Sequence, residues 1–173
     1  SIAENIADLY ARRQQCLIHV KTVHENLGAG EEAVFIETLS PIADRIFIEH
    51  TVPSWPDFAL DYLSPDSLQE RGAYGQNVQQ KQVCAYPFYS LAINSDGTVS
   101  PCCVDWNRKL VLGNLNSDSL QEIWHGETLK HFRHMMLDGE RTKHPVCGKC
   151  GQISHCSLDN IDVAASRLKE CYT

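Results

Sequence analysis

Four of the eight cysteines in this chain constrain its second half more than any other feature. Cys147-Gly148-Lys149-Cys150 is a CxxC on a glycine-containing loop, so two thiols can reach one metal centre from a single turn. Cys84 and Cys102 flank a segment that reads as a β-hairpin: a strand over Pro87 to Asn94, a tight turn at Asn94-Ser95-Asp96-Gly97, and a return strand over Thr98 to Cys103. Hairpin arms lie side by side, which brings Cys84 and Cys102 together. Four soft thiolates suffice for a tetrahedral zinc ion or for the four irons of a cubane cluster, and spacing alone does not choose between them. A thioredoxin-like CxxC opens a helix after a strand, whereas Cys147 follows Pro145 after a helix, which argues against a thiol-redox protein. Cys16 reads as a buried, unreactive packing thiol.

The sequence as a whole is that of a globular protein, with 43% hydrophobic and 21% charged residues. A net charge of −7 argues against a nucleic-acid partner, because phosphate contacts need clustered Lys and Arg. The short basic group Arg141-Thr142-Lys143-His144 reads as a solvated face. No apolar run approaches the roughly 20 residues that cross a bilayer, so no membrane partner is expected. Ser1-Ile2-Ala3-Glu4-Asn5 has neither the basic region nor the apolar core of a secretory signal. The adjacent pair Cys102-Cys103 is awkward for a disulfide framework. A reducing, cytoplasmic location follows as an expectation.

Residues 1–62 read as α/β. Ile2, Ile6 and Leu9 mark a helix; Cys16 to Val23 a strand; Glu31 to Ala43 a helix ended near Ser40 by Pro41. Arg45 to His50 is a second strand, apolar enough to be buried on both faces. Strand, helix, strand implies a parallel pair with a crossover. Residues 63–82 form a linker rich in Pro, Gly, Asn and Gln. Residues 83–173 then read as a small α+β domain with the hairpin and several helices. Ser119-Leu120-Gln121-Glu122 is a capping box, Leu129, Phe132, Met136 and Leu137 mark a core face, and Asp159 to Tyr172 is a docking helix. Asp105 and Trp106 are assigned to packing or hydrogen bonding around the cysteines. His131 and His134 are read as solvated.

Residues 83–156 resemble the auxiliary-cluster domain of radical S-adenosylmethionine (SAM) enzymes, of the SPASM or shortened twitch type. The matching stretches are Cys84-Ala85-Tyr86-Pro87-Phe88, Asn94 through Trp106, Leu112-Gly113-Asn114-Leu115, Ser119 through Trp124, and Cys147-Gly148-Lys149-Cys150. The resemblance implies an auxiliary [4Fe–4S] cluster on Cys84, Cys102, Cys147 and Cys150, in place of the alternative, a structural zinc module with four cysteine ligands used for protein interaction. Cys156 meets the next cysteine of the full two-cluster pattern, but Asn160 stands where a further one belongs, so one cluster is expected. A competing set draws on Cys147, Cys150, Cys156 and Cys171. Cys103 is read as a neighbouring packing thiol. Lys143, Lys149 and Arg108 are candidate cations beside the cluster.

By the same resemblance, residues 1–62 are the last β/α units of a partial TIM-like barrel. The CxxxCxxC that binds the SAM-cleaving cluster in that family is absent. The chain is therefore expected to be a C-terminal piece of a longer oxidoreductase or maturase, without catalytic residues of its own and inactive alone. The parent would bind SAM and a second [4Fe–4S] cluster and generate a 5′-deoxyadenosyl radical. That radical would act on a peptide, a sugar or another small metabolite. The auxiliary cluster would relay an electron or staple the domain.

Overall fold

The computed structural model describes residues 1–55 and 71–172, which divide into two compact units: 1–52 with 71–77, and 53–55 with 78–172. The expected linker at 63–82 and the end of the first segment lie partly outside the described residues. Its described remainder is shared between the two units.

The first unit is a β-α-β crossover. Helix α1 (Ile2–Arg12) opens with a capping box in which the Ser1 hydroxyl accepts from the Glu4 N–H, satisfying a donor that the first turn leaves orphaned. Strand β1 (His19–Val23) pairs in parallel with β2 (Arg45–Glu49), His19 opposite Arg45. Between them α2 (Glu31–Leu39) gives way to a 3-10 turn over Ser40–Ile42, as Pro41 requires. Asp44 locks the start of both strands, accepting from the Ile18 N–H at 2.8 Å and from Arg13 at 3.0 Å.

Two expectations are corrected here. Cys16 is exposed, because β1 begins only where β2 offers a partner, at His19. Strand β2 is not buried on both faces: Arg45 and Phe47 are exposed while Ile46 and Ile48 are half-buried. A two-stranded sheet covers only one side of itself within this unit.

The second unit holds a three-stranded antiparallel sheet, β3 (Ala92–Ile93), β4 (Thr98–Ser100) and β5 (Gly113–Asn114), in the order β3-β4-β5. The turn is where the sequence places it. Gly97 has φ of +86°, and a Cβ there would lie 2.5 Å from the Asn116 amide nitrogen, so both backbone and packing demand glycine. The first hairpin arm is shorter than expected. Pro87 sits in a 3-10 turn, Tyr86–Phe88, where its locked φ fits and its missing N–H breaks no ladder bond.

Helix α3 (Leu120–His125) carries the Ser119/Glu122 capping box, and α4 (Glu127–Leu137) follows after Gly126. Leu129, Phe132, Met136 and Leu137 on α4 join Val83 in the buried core. A short helix α5 (Gln152–His155) comes next. The terminal segment forms a 3-10 turn, Asp162–Ala164, and α6 (Ala165–Cys171); Ala165, Leu168 and Tyr172 pack on that core. His134 is not simply solvated: its Nε2 lies 2.8 Å from the Tyr172 carbonyl. Among the described residues no helix is long and apolar enough to cross a membrane.

Candidate metal centre

Each of the four thiols is placed by a different piece of local structure. Cys84 follows buried Val83, whose N–H donates to the Asp162 carboxylate at 2.9 Å, and precedes the Tyr86–Phe88 turn. Cys102 leaves β4 through buried Pro101. Cys147 and Cys150 bracket a 3-10 turn, Cys147–Lys149, anchored by the Gly148 N–H donating to the His144 carbonyl at 2.8 Å. Gly148 is required there, since a Cβ would sit 2.5 Å from the Thr142 carbonyl oxygen. Gly148→Ala is expected to destabilise the unit by about 1–3 kcal/mol through forced backbone displacement, read as a lower urea midpoint, and to reduce metal occupancy in parallel.

Cys84, Cys102, Cys147 and Cys150 all line one small cavity of about 30 Å³. Pro101, Val104, Phe132 and Met136 make much of its remaining wall apolar. It is far below the roughly 300 Å³ at which small-molecule pockets begin. A group bonded to its lining sits about 2.3 Å from sulfur, whereas one in mere contact needs 3.5–4 Å. A small, largely apolar cavity lined by four thiols therefore suits a bonded centre rather than a substrate.

All four are free thiols. Burial pushes the Cys84 thiol up to about 12, with the neighbouring sulfurs of Cys102 and Cys150 adding to it. Burial likewise raises Cys102, Cys147 and Cys150. Without a metal these groups stay protonated at neutral pH, and a bound metal ion would displace the protons. The backbone N–H groups of Tyr86 beside Cys84, of Val104 and Asp105 beside Cys102, and of Gln152 and Ile153 beside Cys150 act against that rise. Such donors stabilise thiolate and tune a cluster bound to it.

Among the described residues no three His, Cys, Asp or Glu side chains are grouped as one metal ion would need.

The other candidates fall elsewhere. Cys156 lies 3.0 Å from the Ser54 hydroxyl, and Cys171 is exposed on α6 with its thiol donating to the Arg167 carbonyl; neither lines the cavity. Cys103, expected to pack, is exposed. Asp105 is buried and accepts from the Leu110 N–H at 2.6 Å, as a hydrogen-bonding role requires. Trp106 is instead 62% exposed, its ring tilted by 35° against that of Trp55 at 3.9 Å between centroids.

The expected cations do not reach the cavity. Lys143 pairs with Glu140 at 2.7 Å, Arg108 pairs with Asp96, and Lys149 is exposed. Arg141 lines it instead, together with Tyr86 and Gln152, which share a 3.0 Å hydrogen bond. The basic run that contains Arg141 reads in sequence as solvated surface; only the reversal after α4 turns this residue inward.

Residues 84–151 match SPASM, an iron–sulfur cluster-binding domain. The chain is 32% identical over 91 residues to an S-adenosyl-L-methionine-dependent 2-deoxy-scyllo-inosamine dehydrogenase of Niallia circulans. That alignment covers 50% of this chain and 36% of the relative, so the chain spans about a third of its length. Among solved structures, BtrN in complex with AdoMet and 2-DOIA is similar at 20% identity and a TM-score of 0.43, over 93% of this chain and 70% of that one. Selenomethionine BtrN in an open conformation gives 18% and 0.40, over 86% and 63%.

Proposed function

Starting from residues 84–151 as a SPASM iron–sulfur cluster-binding domain, we propose that Cys84, Cys102, Cys147 and Cys150 hold one auxiliary [4Fe–4S] cluster within a radical SAM oxidoreductase. The observation that carries this reading is the gathering of four free thiols around one small cavity. Cys147 and Cys150 come from one turn, Cys84 and Cys102 from the two sides of the sheet region. Together they give each iron one thiolate, which leaves no iron open to substrate and favours an electron-relay or structural role.

In the full protein, the β-α-β unit would be the last part of a partial barrel. SAM and a second [4Fe–4S] cluster would be bound by segments beyond this sequence. The relative named above acts, by its name, as a dehydrogenase of 2-deoxy-scyllo-inosamine. Of peptides, sugars and other small metabolites, a polyhydroxylated small molecule is therefore the substrate class we favour. A dehydrogenation that begins with hydrogen-atom abstraction leaves one more electron to remove, and a one-electron centre supplies that chemistry. Within this chain Pro101, Val104, Phe132 and Met136 surround the centre with apolar groups, and the turns at Tyr86–Phe88 and Cys147–Lys149 position the thiols. Eight cysteines with no disulfide among them suit a reducing compartment such as the cytoplasm.

The test is metal competition. The chain is reconstituted anaerobically with iron and sulfide in the presence of equimolar zinc, then assayed for metal and acid-labile sulfide. Iron and sulfide in equal amounts, with an EPR signal appearing on reduction, are expected. Stoichiometric zinc that iron does not displace would overturn the proposal.

A further inference from the structure

We propose that Arg141 is the positioning residue of this cluster site, tying the approach to Cys84 to the Cys147 turn and raising the cluster's reduction potential with its charge. The inference rests on Cys84, Cys102, Cys147 and Cys150 being the ligands. Its geometric basis is independent of the metal. Arg141 Nε donates to the Gln82 carbonyl at 3.1 Å, one Nη to the Cys147 carbonyl at 2.5 Å, and the other Nη to the Lys81 carbonyl at 3.4 Å. One planar fork thus joins two ligand-bearing segments about sixty residues apart in sequence, using the fixed donor geometry that lysine lacks.

The electrostatic basis is equally specific. Among the described residues Arg141 is the one cation lining the cavity, and its charge acts on the sulfurs of Cys84, Cys147 and Cys150. These three hydrogen bonds go to neutral carbonyls. None of these three partners offsets the guanidinium charge. Reduction adds negative charge to a cluster already ringed by thiolates, so a nearby cation in a partly buried site favours the reduced form.

Three variants of the full chain separate the two roles: Arg141→Lys, Arg141→Gln and Gln82→Glu. Each is reconstituted anaerobically and followed by urea unfolding and an EPR-monitored redox titration. Arg141→Lys should lose unfolding stability yet keep a midpoint potential near wild type, since the charge stays and the fork goes. Arg141→Gln should lose both. Gln82→Glu alters an exposed side chain, leaves the carbonyl and fork in place, and should lower the midpoint alone, which keeps the test open if Arg141→Gln fails to hold iron. A wild-type midpoint in Gln82→Glu or in Arg141→Gln would overturn the charge role; wild-type unfolding in Arg141→Lys would overturn the positioning role. Failure of the wild-type chain itself to bind iron and sulfide would instead remove the premise, and would be seen before any variant is compared.

Discussion

Serine at Cys84, Cys102, Cys147 or Cys150 is expected to reduce iron incorporation to a small fraction of wild type, whereas Cys16→Ser, Cys103→Ser and Cys171→Ser leave it unchanged. The two groups differ in surroundings, not in chemistry. The first four thiols line one largely apolar cavity, and among the described residues no further cysteine lines it to replace a lost thiolate. The other three are exposed, where a hydroxyl costs almost nothing. Cys156 is the informative intermediate. Its sulfur contacts the Ser54 hydroxyl and does not line the cavity, so Cys156→Ser should cost a little stability and no iron. Iron and acid-labile sulfide per chain decide the matter. Loss of iron in Cys156→Ser and Cys171→Ser, with retention in Cys84→Ser and Cys102→Ser, would reassign the site to the competing set.

Leu129→Ala should destabilise the second unit by about 2–5 kcal/mol, the range for truncating a buried leucine whose cavity cannot collapse. Leu129 is fully buried beside Val83 and Met136, and Cys84 and Cys147 pack against the same cluster. The same substitution should therefore also speed cluster loss. The control is Val163→Ala, at a side chain 98% exposed, expected within about 0.5 kcal/mol of wild type. Urea unfolding of the reconstituted chain measures both. Equal midpoints for the two variants would show that the core does not support the cysteine segments.

Local rules are readable from the sequence where one residue decides the outcome. The turn at Asn94–Gly97 follows from a glycine that alone tolerates its φ. The capping box at Ser119/Glu122 and the core face of α4 follow from spacing. The cysteine spacing points to four thiols that the fold does gather, but the hairpin is only part of the reason. It pairs just Ala92 and Ile93 with Ser100 and Val99, too short a ladder to carry Cys84 to Cys102, and the 3-10 turn at Tyr86–Phe88 completes the approach. Arg141 is hidden for a different reason. A basic residue three before His144 looks like surface until the chain reverses at Gly139 and brings three carbonyls within its reach. Cys16 is misplaced by its apolar neighbours, which suggest burial, while strand pairing decides where the sheet begins.

Mössbauer spectroscopy of the anaerobically reconstituted chain, loaded with isotopically enriched iron, tests the central claim most directly. It counts irons, reports their sulfur coordination and shows whether they share one electronic system. The expected spectrum is a single coupled cluster of four irons, all tetrahedral and thiolate-ligated. An isolated iron bound by four thiolates, or no bound iron in a chain carrying one zinc, would contradict it.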